Sequence, residues 1–188
     1  GCLVGRRLVL GAPFALLLPA SHACAQTTET PPKLDVPYVP TPQVVVDKML
    51  KMARVRRGDM LYDLGCGDGR IVVTAAKNHG ARGVGIDIDP RRIEEARQNA
   101  EQAGVTDRCE FRVENLFESD FSQATVVTLY LLPDINQKLR PQLWRQLKAG
   151  TRVVSHAFNM GDEWPPERTE RVANSTLYSW TVRPAHKR

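Results

Sequence analysis

The chain has 188 residues, 42% of them hydrophobic and 25% charged, which fits one globular domain with a single buried core. Its formal net charge is +5, and leaving out the two arginines of residues 1–25 gives +3, too small and scattered a charge to indicate nucleic-acid binding. The four cysteines form no CxxC pair and no His/Cys cluster with metal-ligand spacing, so the sequence predicts no metal site. Cys66 and Cys109, the two outside the first 25 residues, are predicted to remain unpaired.

Residues 1–25 have the pattern of a signal peptide. Arg6-Arg7 precedes an apolar stretch from Leu8 to about Ala20, and Ala23-Cys24-Ala25 fits an A-x-A cleavage site. We therefore predict an exported or periplasmic protein, or one held at the membrane by this segment, with general secretion favoured over the twin-arginine route. The apolar run is short for a membrane-spanning helix. The alternatives are a short membrane anchor and a misassigned start. A misassigned start would leave the protein in the cytoplasm.

Residues 26–37 are polar, contain prolines and lack periodicity, which predicts a linker ahead of a single domain at 38–188. The domain opens with TPQVVVDKMLKMARV, in which Thr41 is placed to cap a helix and Pro42 to occupy its first turn. The apolar residues of this stretch recur at helical spacing, so we predict an amphipathic helix.

Short apolar runs then alternate with helical patterns along the chain. Strands are predicted at 60–64, 83–88, 109–113, 125–131 and 152–158. Helices are predicted at 70–79, at 90–103 with Asp89 as cap, and at 133–147 with an interruption or bend at Pro141. Two short strand patterns, 170–173 and 176–182, flank Asn174-Ser175 and predict a terminal antiparallel hairpin. Strands separated by helices imply right-handed crossovers, so we predict an α/β fold with a mostly parallel sheet.

The most informative stretch is LYDLGCGDGR, residues 61–70, with glycines at alternate positions. Such glycines indicate close approach of a ligand to the backbone, and a dinucleotide and S-adenosylmethionine are the two candidates. Asp63 before the loop and Asp68 within it would repel a pyrophosphate by on the order of 1 kcal/mol per contact even in water. The same carboxylates would attract the sulfonium and the α-ammonium of S-adenosylmethionine, so the charges favour that ligand.

A second acid lies at the end of the next predicted strand. In GVGIDIDP, Asp87 comes 22 residues after Gly65, close to the spacing of about 20 at which a carboxylate accepts hydrogen bonds from a ribose diol. We therefore assign Asp87 to the ribose and Asp89, which precedes a proline, to the helix cap.

These motifs resemble those of the class I, seven-stranded S-adenosylmethionine-dependent methyltransferases. DLGCGDGR is similar to their first motif, GIDID to their second-strand acid, and FRVENLFE to the segment that contacts adenine. The resemblance covers about residues 36–183. It implies a Rossmann-like, doubly wound, mostly parallel seven-stranded sheet with a C-terminal antiparallel hairpin, and S-adenosylmethionine as cofactor. The cofactor-binding residues that it implies are Tyr38, Thr41, Asp63, Gly65, Cys66, Gly67, Gly69, Asp87, Ile88, Asn115 and Leu116.

The adenine segment departs from the family pattern at Asn115, where relatives often have Asp. The side-chain oxygen of Asn115 can still accept a hydrogen bond from the adenine amino group.

A narrower resemblance concerns the methyl acceptor. YVPTP (38–42), LYLLP (129–133) and GTRVVSHAF (150–158) are similar to small bacterial and mitochondrial-type protein lysine methyltransferases, whose mitochondrial members modify inner-membrane proteins. The resemblance implies a protein lysine as substrate, including one in a membrane-associated protein, with no nucleic-acid partner. It makes Tyr130 and Pro133 the candidates to contact the acceptor, and places Tyr38 over the cofactor.

Several side chains have a second interpretation. Tyr130 could instead pack in the core as a strand aromatic, and His156 is better explained as a buried sheet histidine than as a catalytic base. Trp164 fits either a substrate rim or a loop anchor. Arg70 either pairs with an acid near the glycine loop or faces water.

Three further functions compete with protein lysine methylation. A small-molecule methyltransferase usually has an inserted lid domain, for which this sequence shows no insertion. A non-catalytic S-adenosylmethionine-binding protein is compatible with the signal-peptide pattern. The cofactor is made in the cytoplasm, so an exported enzyme would lack a supply of it. An NAD-dependent oxidoreductase is the least favoured because of the loop carboxylates.

Overall fold

The structure, a computed structural model, describes residues 39–187. The predicted signal peptide and linker, and Tyr38, lie outside the described residues. No helix within 39–187 combines the length and the apolar composition needed to cross a membrane.

Seven strands and four α-helices follow one another within the described residues. The strands are β1 (Met60–Leu64), β2 (Arg82–Asp87), β3 (Cys109–Val113), β4 (Val126–Leu129), β5 (Arg152–His156), β6 (Arg168–Val172) and β7 (Ser175–Thr181). The helices are α1 (Gln43–Met52), α2 (Arg70–His79), α3 (Pro90–Gln102) and α4 (Pro133–Gln146), and a short 3₁₀ helix spans Pro184–Lys187.

The strands form one sheet in the order β3-β2-β1-β4-β5-β7-β6. Neighbours among β1 to β5 pair in parallel, and β7 pairs antiparallel with both β5 and β6. This arrangement confirms the predicted seven-stranded, mostly parallel α/β fold with its closing hairpin. β1 and β4 are neighbours in this sheet. From β1 the chain continues to β2 and β3 on one side, and from β4 it continues to β5 on the other side, so the strand order reverses between β1 and β4. In such sheets a ligand crevice opens beyond the carboxyl ends of the strands at this switch point.

Helices cover both faces of the sheet because consecutive strand residues point to opposite sides. Leu61 of β1 belongs to the apolar cluster formed with α1, α2 and α3. The next residue, Tyr62, belongs to the cluster formed with α4 and the loop tryptophan Trp164. The two cores hold the sheet rigidly, and with it the carboxyl ends of β1 and β4.

The start of α1 differs from the prediction. The helix begins at Gln43, Pro42 occupies the cap position with an extended ψ of 146°, and no side chain accepts a hydrogen bond there. The prediction that Thr41 caps the helix is therefore wrong. The carbonyl of Pro42 accepts from Val45 and Val46 instead, and the Thr41 hydroxyl is used elsewhere.

Two strands end earlier than predicted, at the edge where the crevice opens. β4 stops at Leu129, so Tyr130 belongs to a loop rather than to a strand. β5 stops at His156, and Ala157 adopts a positive φ of 68°, which interrupts extended pairing. The apolar sequence pattern extends beyond the end of each strand because Tyr130 and Leu131 after β4, and Phe158 after β5, line an apolar cavity.

Two local predictions near the C-terminal half are corrected. The helix at 133–147 is not interrupted at Pro141, since α4 continues through that residue, which lies on the exposed side. The hairpin turn lies at Ala173-Asn174, one residue earlier than predicted, and pairs Val172 with Ser175. Ala173 takes a φ of 50° at this turn.

Candidate active site

A cavity of about 390 Å³ lies at the carboxyl ends of β1 and β4. Its walls come from residues 39–41, the end of β1 with the glycine loop, the start of α2, the loop between β4 and α4 with the first turn of α4, and Phe158, two residues past the end of β5. The lining residues are Val39, Pro40, Thr41, Asp63, Gly65, Cys66, Asp68, Arg70, Ile71, Tyr130, Leu131, Leu132, Ile135 and Phe158. The predicted site residues Thr41, Asp63, Gly65, Cys66 and Tyr130 therefore meet in one place.

The glycine loop is held against the end of β2 by backbone hydrogen bonds. The N–H groups of Gly65 and Cys66 both donate to the carbonyl of Ile86, at 2.8 and 2.9 Å. Gly65 has a φ of 80°, and a Cβ there would lie 2.8 Å from a Leu131 methyl group. The loop after β4 thus packs directly on the glycine loop, which places the two halves of the cavity side by side.

Gly69 is required for packing within the protein. A Cβ at Gly69 would lie 2.6 Å from the Phe111 ring and 2.7 Å from Cβ of Ala96, and its φ is 73°. The glycine therefore permits both the left-handed turn into α2 and the contact of that turn with α3 and β3. The role of Gly69 in cofactor binding stays a prediction.

Asp63 is a buried carboxylate at the floor of the cavity. Only 2% of its surface is exposed, and its Oδ1 accepts a hydrogen bond of 2.8 Å from the Thr128 hydroxyl of β4. The pKa of Asp63 is raised to about 7, mainly because the carboxyl group is buried; the Thr128 hydrogen bond opposes this rise, and the nearby charges of Asp87 and Asp68 contribute to it. A cationic group bound beside Asp63 would stabilise its ionised form.

Arg70 is paired, which settles its two interpretations. Its guanidinium donates to the carboxylate of Asp68, with Nε 3.0 Å from Oδ1, and its Nη1 donates to the carbonyl of Thr41 at 3.0 Å. Asn99 of α3 donates to the Asp68 carbonyl at 2.9 Å. These bonds connect the glycine loop to the 39–41 segment and to α3, so one wall of the cavity is cross-braced.

Asp87 stands at the end of β2, as predicted, and organises the backbone around it. Its two carboxylate oxygens accept hydrogen bonds from the N–H groups of Gly67, at 2.9 Å, and Asp89, at 3.0 Å. Asp87 is partly exposed, so its remaining lone pairs are accessible for a ribose diol. Asp89 caps α3 by accepting from the Arg91 N–H at 2.9 Å, which confirms that part of the prediction.

The residues predicted to contact adenine lie beside Asp87 and outside the cavity lining. Ile88 is 44% exposed although it is apolar, as is Phe117 at 39%. The side-chain oxygen of Asn115 accepts from the Phe117 N–H at 3.1 Å, and Leu116 packs against the core. An exposed apolar surface next to a carboxylate suits an adenosine, while the role of Asn115 toward adenine stays a prediction.

Aromatic rings form the wall opposite the glycine loop. Tyr130 lies over the imidazole of His156 with ring centroids 4.0 Å apart, and Phe158 lies 6.5 Å from Tyr130 in a stacked arrangement. His156 is 4% exposed, and burial lowers the pKa of its imidazole. Tyr130 therefore packs on the His156 ring and lines the cavity. His156 is a buried strand residue, which is the interpretation that the sequence favours.

The site contains residues that the sequence analysis missed. Pro133 is exposed at the first turn of α4 and does not line the cavity, whereas Leu131, Leu132 and Ile135 do. Phe158 was missed as well because it was placed within a strand. A signal was available, since Leu131 and Leu132 belong to the LYLLP stretch itself and Ile135 follows it in the first turn of the predicted helix.

Trp164 and the cysteines have structural places. Trp164 is 3% exposed, packs between other tryptophans and accepts a hydrogen bond from Trp180 through its carbonyl, so it anchors a loop. Cys66 and Cys109 are unpaired, as predicted, and burial raises the pKa of the Cys66 thiol.

The electrostatics of the site suit a cationic ligand. Carboxylates of Asp63, Asp68 and Asp87 surround the glycine loop, and Arg70, the basic side chain among the cavity-lining residues, is already paired with Asp68. No group of three or more metal-ligating side chains occurs within residues 39–187. The residues present therefore fit S-adenosylmethionine: Asp63 for the methionine ammonium, Asp87 for the ribose, and an apolar wall where a methyl acceptor would enter.

Comparison with known proteins identifies relatives of the same type. The sequence pattern of the ANTKMT methyltransferase domain matches residues 63–168. A protein-lysine N-methyltransferase of Saccharolobus islandicus is 48% identical over 152 residues, which cover 78% of this chain and 94% of that protein. The adenine nucleotide translocase lysine N-methyltransferase of Mus musculus is 33% identical over 147 residues, with 76% of this chain and 63% of that protein aligned.

A solved structure shares the fold over nearly its full length. The structure of a protein described as an RNA methyltransferase from Salinibacter ruber, in complex with S-adenosylhomocysteine, is 60% identical to this chain. It superposes with a TM-score of 0.76, covering 78% of this chain and 95% of that one. Together with the cavity and its carboxylates, these matches show that the chain belongs to the ANTKMT methyltransferase domain family, within the class I S-adenosylmethionine-dependent methyltransferases.

Proposed function

We propose that this methyltransferase acts on the side-chain amino group of a protein lysine. The observation that carries the proposal is the apolar wall of the cavity, in which the Tyr130 and Phe158 rings face the glycine loop. An apolar and aromatic wall of this kind can contact the aliphatic stem of a lysine. The names of the Saccharolobus and mouse relatives support the same acceptor.

The residues of the site account for the steps that a lysine acceptor requires. A lysine attacks only when it is neutral, and surroundings without water lower its pKa from about 10.4. Tyr130, Leu131 and Phe158 exclude water around the nitrogen and hold it in line with the bond that breaks. The bound cofactor supplies an activated methyl group, whose carbon joins the nitrogen while the electron pair of the C–S bond stays on sulfur. The nitrogen has lost a proton to solvent beforehand.

RNA is the second candidate acceptor, because the Salinibacter relative is described as an RNA methyltransferase. RNA binding requires basic side chains that contact phosphates. The segments at the carboxyl edge of the parallel sheet, residues 65–69, 88–89, 114–118, 130–132 and 157–167, contain no Lys or Arg and include seven acids. Four of these acids pair with Arg70, Arg91, Arg140 and Arg183, which leaves an excess of three acids along the edge. This acidic excess disfavours a polyanion and favours a cationic lysine, so we place protein ahead of RNA.

Transfer of labelled methyl groups distinguishes the acceptors. The purified chain is incubated with methyl-labelled S-adenosylmethionine and an extract of its native cells, and the product is divided between protease and ribonuclease treatments. We expect label that only protease releases, and methyl-lysine after acid hydrolysis. Label released by ribonuclease, or found only in small molecules, would contradict the proposal.

A separate proposal concerns location. The signal-like segment at 1–25 supports export or attachment to the membrane. A methyl acceptor in a membrane-associated protein would be consistent with that location. N-terminal sequencing of the protein from fractionated native cells tests it. A chain recovered from the cytoplasmic fraction with residues 1–25 intact would overturn it.

A further inference from the structure

A buried histidine connects the two walls of the active-site cavity. Nδ1 of His156 lies 3.2 Å from Oγ1 of Thr41, on the wall next to Arg70. Its Nε2 lies 2.8 Å from Oγ of Ser175, at the start of β7. The face of the same ring carries Tyr130, with centroids 4.0 Å apart. One side chain therefore contacts a residue on each side of the cavity.

The hydrogen bonds of the imidazole restrict the direction of the hydroxyl group at Thr41. A neutral imidazole has one N–H group and one acceptor nitrogen. When Nε2–H donates to Ser175, Nδ1 must accept, and the Thr41 hydroxyl donates its proton to His156. The lone pairs of Thr41 Oγ1 then remain for the cavity, where they suit a cationic group. The other tautomer would turn a hydroxyl proton toward that group.

We infer that His156 carries its proton on Nε2 and is a positioning residue for methyl transfer, which orients the Thr41 hydroxyl as an acceptor toward the cofactor and supports Tyr130 on the acceptor side. The role is distinct from that of a base, because both ring nitrogens are engaged with other side chains and the ring is buried. The part of the inference that concerns Tyr130 rests on the proposed acceptor site. The part that concerns Thr41 depends only on cofactor binding.

Cofactor binding tests the contact between Thr41 and His156. Thr41→Val removes only the hydroxyl, and His156→Phe keeps a flat ring beneath Tyr130 while removing both nitrogens. We expect each variant to raise the Kd for S-adenosylhomocysteine by about tenfold in calorimetry, as for loss of a buried hydrogen bond. The double variant should also lose about tenfold rather than a hundredfold, since both changes remove the same bond. Thr169→Val, the same change on exposed β6, is the matched control and should bind normally.

The rate of methyl transfer tests the contact between His156 and Tyr130. His156→Asn keeps a polar group toward Thr41 but removes the ring under Tyr130. We expect a transfer rate to native-cell extract at least about tenfold lower at saturating S-adenosylmethionine, with a Kd for S-adenosylhomocysteine within about threefold of the wild type. A purely structural histidine would lower the melting temperature in all variants without separating binding from rate.

Two results would overturn the inference. One is normal S-adenosylhomocysteine binding by Thr41→Val, a change small enough to leave the fold intact. The other is independent, multiplicative losses in the double variant. Neither measurement uses a methyl acceptor, so failure of the lysine proposal would leave them interpretable, and their failure would leave the lysine proposal standing.

Discussion

Replacing Asp63 with Asn should stabilise the unliganded protein while weakening cofactor binding. The pKa of Asp63 rises from 3.8 to about 7 on folding because the carboxyl group is buried. At about 1.4 kcal/mol per unit, that rise corresponds to about 4 kcal/mol by which the ionised form disfavours the folded state. The amide keeps an acceptor for Thr128 but buries two new donors, at about 1 to 3 kcal/mol. We expect a net gain of about 1 to 3 kcal/mol at pH 8.

The pH dependence gives the sign of the effect. A carboxyl group with a raised folded-state pKa favours folding below its unfolded pKa, and that contribution is lost as the pH rises toward about 7. The free energy of unfolding of Asp63→Asn, relative to that of the wild type, should therefore increase from pH 4 to pH 7 and stay constant above pH 7. Urea unfolding of Asp63→Asn and wild type at pH 4.5, 6 and 8 measures it, with the exposed Asp162→Asn as control.

Cofactor binding should change in the opposite direction. The α-ammonium of S-adenosylhomocysteine requires the ionised carboxylate, so wild-type affinity should fall by up to about tenfold per pH unit below pH 7. The affinity of Asp63→Asn should be weak and nearly independent of pH. An Asp63→Asn protein that is less stable than wild type at pH 8, or that binds as tightly, would refute the reasoning.

Three further predictions concern packing, ribose binding and the acceptor. Gly69→Ala should lower the free energy of unfolding by about 2 to 4 kcal/mol, since it adds a clash to a left-handed φ, whereas Gly104→Ala, with a φ of 69° and open space around it, should lose about 1 kcal/mol in the same urea titration. Asp87→Asn should weaken S-adenosylhomocysteine binding about tenfold in calorimetry, through loss of a charge-assisted acceptor; unchanged affinity would remove Asp87 from the ribose site. Tyr130→Leu should reduce methyl transfer at least about tenfold with cofactor affinity preserved, and a parallel loss of both would place Tyr130 in the cofactor site instead.

The cofactor half of the site could be predicted from local sequence. Asp63 is the last residue but one of β1 and Asp87 ends β2, and parallel strands deliver their carboxyl ends to one edge of the sheet. Strand and helix periods therefore predicted that these acids would meet near the glycine loop. The same local rules predicted the Asp89 cap, because a cap depends on residues within one turn.

The rest of the site depended on contacts between distant residues. Thr41 and His156 are 115 positions apart, and no local pattern indicates that a threonine placed to cap a helix would bond to a histidine of β5 instead. The stacking of Phe158 against Tyr130 requires β4 and β5 to end at Leu129 and His156, which neighbouring loops decide rather than strand propensity.

The sequence by itself determined the fold class, the cofactor and the acids around it, because hydrophobic periodicity, capping and the charge of a short loop act over a few residues. Only the tertiary structure decided which glycine serves packing, that Arg70 is paired, and which side chains form the wall opposite the cofactor. Those outcomes depend on which surfaces are pressed together when the sheet closes, and close packing brings together residues that no short stretch of sequence contains.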